Sequence, residues 1–421
     1  MTSHAARLRQ RGAAALIVTL MLFFAMVLTV VYVNRNLLVE QHSAANHDRA
    51  VQAFEAAEAG LEWALGQLNN PQRLGADCVL SAAAGASAFR ERFLHADSRT
   101  GRIAPAEWSD AGVARPLRAS CIRSGDGWVC SCPAGAAPSL PIDPASAALP
   151  SFSIEFVAAA RAGTIRIVST GCSRAASLCT ADDSGNDANA RVEATVALVA
   201  ALRTPPAAAL TVRGAVSSTA ALGAHNADPE SGIAIHAGGE IVAPAARLTV
   251  PAGAALGEAL VQNDAALSGG TPARFFASHF GLGKADWSTQ AGVTRLDCSS
   301  DCATALLRTI DAAGTPALIW VDGNLAIDGP VGIGTHERPV TLVVSGAVRL
   351  GGAVRFHGLL HAGSVSWTSP ATGALLRGAL LSEAGYGGDG TPALVYDRAV
   401  LATLQHASGS FVRVAGSWRD F

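Results

Sequence analysis

Eight cysteines are the residues of this chain best placed to do chemistry: Cys78, Cys121, Cys130, Cys132, Cys172, Cys179, Cys298 and Cys302. A zinc site would need tight CxxC clusters or paired histidines. The spacings here are CxC, Cx6C and Cx3C, with no matching His pair. An even number, all beyond an apolar N-terminal run, reads instead as disulfides made in an oxidising compartment. Cys172–Cys179 and Cys298–Cys302 are plausible local bridges, and spacing leaves the connectivity open.

Other groupings fall short of a reaction. Gly281-Leu282-Gly283-Lys284 lacks the glycine spacing of a phosphate loop and has Ala285 where a hydroxyl residue is needed, so it reads as a surface turn. Neither GxSxG nor HExxH occurs. His357 and His361 are four apart, but in a strand-like, glycine-rich stretch where they share no helix face. His225, Asp228, Glu230 and His236 form a loose polar group read as solvated. Asp182, Asp183, Asn186 and Asp187 offer oxygen ligands to calcium, yet their spacing is not that of an EF-hand and a polar loop tip accounts for them. Trp287, Trp320, Trp367 and Trp418 could anchor a sugar, though core packing is the simpler reading. The expectation is a chain with no cofactor and no catalysis. Its 31 Lys+Arg against 33 Asp+Glu leave a net charge of −2, which points to no nucleic-acid partner.

The element that organises the chain is at its N-terminus. Residues 1–12 hold Arg7, Arg9 and Arg11 and no acid, and residues 13–33 are uncharged. A helix of that apolar length spans about 31 Å, the thickness of a bilayer core. Arginines before the span keep that end cytoplasmic and place the rest across the membrane. A secretory signal would be shorter and end at a small-residue cleavage site, and a twin-arginine signal would need adjacent arginines; neither is present. The helix continues without proline to Asn69-Asn70-Pro71. Val51, Phe54, Leu61, Leu65 and Leu68 recur as one apolar stripe, with Glu58 in the gap. The rod over 13–69 would be about 85 Å long. Its greasy half (13–33) can be stored in lipid and later packed among similar helices; its second half (34–69) is amphipathic.

Arg9-Gln10-Arg11-Gly12, then Ala13 to Val18, then the AVQAFEAAEAGLEWAL segment over 50–65 resemble the N-terminal region of the PilX family of minor pilins. The likeness covers roughly residues 8–69. It implies cleavage after Gly12 by a prepilin peptidase and methylation of Ala13. It also implies lateral partners through the helix, namely other minor pilins and the major pilin, and a tip adhesin as a further partner. Most pilins have Glu at the fifth mature position, and here Ile17 stands there. A charge in the membrane is kept only for a purpose. Its absence favours a tip or priming subunit over a repeating one.

Beyond the helix the expected class is α+β. Residues 70–203 read as a pilin-like unit in which Ser151–Val157, Thr164–Ser169 and Arg191–Val199 alternate as strands of an antiparallel meander on the helix. Five prolines make 130–150 a loop or linker. Thr204-Pro205-Pro206 opens a β-rich region over 204–421. There, glycine turns at Gly214, Gly323, Gly346 and Gly363, with a looser copy at Gly378, point to a β-solenoid, with an irregular β-sandwich as the alternative. A helical insertion is expected near 271–315. The leading function is a single-pass inner-membrane assembly factor with a periplasmic head, later at a pilus tip or the cell surface. A tip pseudopilin of a type II secretion system, a glycan-binding adhesin and, remotely, a membrane-tethered polysaccharide enzyme are the alternatives.

Overall fold

The computed structural model describes residues 11–140, 148–175, 179, 188–243, 246–298 and 302–421. Helix α1 runs Arg11–Asn69. From Ala53 onward it lies on a sheet formed by β1 (Arg118–Ser124), β2 (Gly127–Ser131), β3 (Ser151–Ala158), β4 (Thr164–Cys172) and β5 (Asn189–Ala200). Pairing is antiparallel in the order β5-β4-β3-β1-β2. The three strands expected from alternation are all present, each slightly longer than its alternating core. The hairpin β1–β2, which no alternation in the sequence announces, extends the sheet; it is pinned by Cys121–Cys130 across its two strands. Strand alternation places Ile165, Ile167, Ser169 and Gly171 of β4 on one face, so the side chains shrink as the helix closes on the sheet. A Cβ on Gly171 would lie 2.1 Å from the Ala53 carbonyl oxygen, and one on Gly60 would lie 2.5 Å from Ser169 Oγ.

The seat of the helix is therefore made of small residues: Ala53, Ala56, Ala57, Gly60 and Ala64 are buried with Leu61 and Leu68. This differs from the stripe of large residues expected. Leu61 and Leu68 are buried, Phe54 and Leu65 are half-buried, and Val51 stays 39% exposed. Close approach of helix and sheet selects residues without bulk, and such residues leave little trace in a hydrophobic pattern.

The second sheet has sixteen strands, and every pairing within it is parallel. It is curled. Its main line uses β6 (Ala208–Val212), β7 (Ile233–Ala237), β8 (Leu260–Val261), β9 (Val293–Asp297), β10 (Leu318–Asp322), β11 (Val340–Gly351), β12 (Arg355–Thr368) and β13 (Leu375–Ser382). Registered neighbours build one apolar ladder: Ile319, Leu342, Leu360, Leu380, Leu210, Ile235, Leu260. The chain order is permuted along that ladder. It lays β6 to β8 at one end, crosses to the other end, and then fills in until β13 pairs with β6.

Four of the five glycine copies serve one corner. The Gly346 amide donates to Gly323 (2.9 Å), the Ala384 amide to Gly363 (2.8 Å), the Gly214 amide to Ala384, and the Gly239 amide to Gly214 (2.9 Å). A Cβ on Gly346 would sit 2.6 Å from the Gly323 oxygen, so the corner excludes side chains. Gly378 belongs elsewhere: it stacks on Gly358, with φ of 128° and room for no Cβ.

Helices α2 (Pro272–Phe280), α3 (Lys284–Ser288), α4 (Cys302–Ala312) and α5 (Arg398–His406) complete this half. Thr271 caps α2 by accepting from the Arg274 amide, Pro272 stands in the first turn, and Gly281 closes it with φ of 75°. The helices expected around Phe275–Phe280 and Cys302–Ile310 are present. They do not act as a pair over one end. Phe275, Phe276, Phe280 and Trp287 cover the outer face of the main line, against Leu318, Trp320, Val343, Leu359 and Leu381. Leu306 and Cys302 of α4 enter the inner core instead.

The final stretch leaves the β-rich region. Strand Gly409–Arg413 pairs with β5 and becomes the edge of the first sheet, and Arg419–Asp420 also pairs with β5. Reading everything after residue 203 as one region therefore misses a long-range return. The four disulfides are Cys78–Cys132, Cys121–Cys130, Cys172–Cys179 and Cys298–Cys302.

Candidate functional site

Residues 14–50 of α1, wherever side chains are described, are exposed, whereas the next turns are buried in the head. Leu16, Leu20, Met21, Leu22, Phe23 and Phe24 circle the rod without a polar face. Each large apolar side chain gains about 1.5–3 kcal/mol on leaving water. So long a row requires lipid or other apolar helices around it. The hydroxyls within it are satisfied internally: Thr19 Oγ1 donates to Leu16 O (2.9 Å) and Thr29 Oγ1 to Ala25 O. That is the condition for a helix in hydrocarbon. Ile17 lies on this surface, 58% exposed. Gly12 and Ala13 fall in the first turns of α1.

The rod is anchored at its far end by the returning strand. Asn69 donates from Nδ2 to the Phe411 carbonyl (2.9 Å), and its Oδ1 accepts from the Phe411 amide (2.8 Å). Arg90 donates to Leu68 O (2.8 Å) and Gly409 O (2.9 Å), with its guanidinium over the Phe411 ring. Burial lowers Arg90 to about 10, which leaves it charged at neutral pH. These contacts occupy outward-facing groups of a strand that would otherwise be an open sheet edge. Arg413 pairs with Glu62, and Trp418 meets Phe54 edge-on. Sequence reading missed this clamp, because Asn69 and Phe411 are distant in the chain.

The polar groups considered from sequence are dispersed. His225 Nδ1 is 2.8 Å from Thr249 Oγ1, and His236 Nε2 is 2.7 Å from Asp264. Asp228 and Glu230 instead share Arg398. Burial lowers His357, which sits among Arg377, Arg355 and Asp397, while His361 lies under α2, meeting the stacked rings of Phe276 and Phe280 edge-on. Lys284 reaches Glu383 at 2.7 Å. Glu383 also lies 3.4 Å from His361, so buried His361 and Glu383 join half-buried Lys284 in a trio that the sequence signalled only by Lys284 being the single lysine. Trp287, Trp320 and Trp367 are core residues, as expected; Trp418 is 38% exposed. Asp182, Asp183, Asn186 and Asp187 lie outside the described residues. Among the described residues no three His, Cys, Asp or Glu side chains converge on a metal position.

The PilX N-terminal family matches residues 11–62, the segment holding the exposed half of α1 and most of its buried half. No curated protein is significantly similar to the chain. Among solved structures, the competence-associated pilin ComZ from Thermus thermophilus aligns with 89% of this chain and 97% of its own, at 11% identity and a TM-score of 0.23. A superposition that loose does not bear on the fold.

Proposed function

We propose that this chain, PilX-like over its N-terminal helix, is a minor pilin that primes or caps a type IV pilus and works by assembly, not catalysis. The observation that carries this reading is α1 itself: uncharged from residue 14 to 33 and bare as far as residue 50, then clamped into a head by small residues and by Asn69. Such a surface suits two successive environments, the inner membrane and a bundle of like helices. Arg7, Arg9 and Arg11 would hold its start in the cytoplasm, with the head periplasmic. Removal of the leader after Gly12, with methylation of Ala13, would free the rod for lateral packing.

Ile17 supports a terminal position, since a subunit with no neighbour above it has no amino terminus to neutralise there. The breadth of the head supports it too. A second, curled sheet docked beside the pilin-type sheet would have to be accommodated at every position of a shaft, but only once at a tip. The uniformly parallel pairing favours a β-solenoid for that sheet over a sandwich of antiparallel sheets.

The test is processing. Chain recovered from cells with an active prepilin peptidase is expected to begin at Ala13, and from cells lacking the enzyme at Met1. An unchanged start in both would remove the pilin reading. Cross-linking through α1 is then expected to recover pilus subunits; recovery of type II secretion pseudopilins alone would move the chain to that machine.

A further inference from the structure

We propose that the recess where Pro205-Pro206, the turn after the first rung of the curled sheet and α5 meet is a binding site for a neutral, hydroxyl-rich sugar. The inference does not rest on the pilin reading. The recess has a volume of about 500 Å³, inside the range of roughly 300–1,000 Å³ for small-molecule sites. Four separate stretches build it: Arg99 from the pilin-type half, Pro205 and Pro206 at the start of the β-rich region, Asp228 to Ser231, and Tyr396 to His406 around α5.

The charges in it cancel. Arg398 Nη1 lies 2.5 Å from Glu230 Oε2 and 3.6 Å from Asp228 Oδ2, with Arg99 on the same wall. Acceptors and donors thus alternate with no excess sign to select an anion or a cation. Asp228 is held rigid, because its Oδ1 accepts from the Glu230 amide (2.8 Å) while its carbonyl receives the Gly232 amide (3.0 Å). Glu230 is 70% exposed. An ion pair so open to water contributes about 0–1 kcal/mol, so ligand hydroxyls can take over its partners at little cost. Tyr396 is half-buried beside these groups. Burial, then the nearby Asp228 and Glu230, raise its phenol, which keeps it a neutral donor. Tyr396 and Leu401 put apolar carbon on the wall among these polar groups, the combination that orients a sugar: C–H groups toward the apolar carbon, hydroxyls to carboxylate and guanidinium.

Saturation-transfer NMR on the full chain, in a detergent without a sugar headgroup, tests this. The probes are glucose, galactose and N-acetylglucosamine, against anionic N-acetylneuraminic acid and cationic glucosamine. At least one neutral sugar is expected to bind. Its affinity should fall by about fivefold or more in the Glu230→Gln/Arg398→Gln double variant and in Tyr396→Ala. It should persist in Arg295→Gln, which alters the outermost rung at the other end of the main line. Glu230 and Arg398 are exposed, so the double variant keeps its fold and decides the matter if Tyr396→Ala unfolds. Absence of transfer from every neutral sugar, stronger binding of a charged probe, or equal binding by the double variant would each overturn the proposal.

Discussion

At the scale of single residues, the seat of α1 is decided by what is missing. Gly171→Val would drive a side chain into the Ala53 carbonyl and the Ala57 amide, 2.1 and 2.3 Å from the new Cβ. Overpacking of this kind costs about 1–3 kcal/mol or more. The expected outcome is a lower melting temperature of the detergent-solubilised chain. Gly66→Ala is the matched control: nothing lies within 4 Å of its Cβ position. An exposed helical glycine costs about 1 kcal/mol relative to alanine, so this variant should melt higher. Asn69→Ala leaves the Phe411 amide and carbonyl without their side-chain partner. A loss of about 1–3 kcal/mol is expected, read as a lower denaturation midpoint with unchanged slope. The sequence pointed to Val51, Phe54 and Leu65 because periodicity weighs bulk. Ala53, Ala57 and Gly60 carry the contact but weigh almost nothing on that scale.

At the scale of elements, the layer formed by α2 and α3 has an acid-sensitive fastening. Burial lowers His361, outweighing the opposing pull of Glu383. Burial also lowers His279, on α2, with His361 and His236 adding to the effect. Burial pushes the Glu383 carboxyl up, but His361 and Lys284 outweigh it and hold it below its ordinary value. A histidine lowered in the folded state binds its proton more readily when unfolded. Its contribution is therefore full above the unfolded value of about 6.5 and declines as the pH falls below it. Glu383 declines in the same direction, further into acid. Amide exchange in residues 272–288, corrected for intrinsic rate, is expected to be faster at pH 5 than at pH 7.5. His361→Leu should flatten that difference; a difference that survives in full would move its origin to other groups. The disulfides also differ by element. Cys78–Cys132 closes a separation of 54 residues and Cys298–Cys302 one of four. Chain entropy assigns the first about 4 kcal/mol and the second about 2. Replacing Cys78 and Cys132 by alanine should therefore lower the melting temperature more than replacing Cys298 and Cys302.

At the scale of the whole molecule, the C-terminus closes the structure. Deleting residues 407–421 removes the strand paired with β5 and leaves Asn69 and Arg90 without the acceptors they have on Phe411 and Gly409. If residues 70–203 were independent of the rest, their protease resistance would survive; the expectation is that it falls. Much of this chain was nonetheless legible in order of residues alone. The uncharged run from 13 to 33, the proline-free continuation to Asn69, the alternation of three strands, the local pairs Cys172–Cys179 and Cys298–Cys302 and the glycine turns are properties of neighbouring residues, and each acts through a period or a short loop. What only the tertiary structure decided depends on groups with no local relation. The ladder step from Leu380 to Leu210, the clamp between Asn69 and Phe411, the burial of His361 beside Glu383 and Lys284, and the meeting of Arg398 with Glu230 join residues far apart in the chain. Parallel strands have no hairpin turn to announce their partner, and a buried polar group is identified only by the side chains that enclose it.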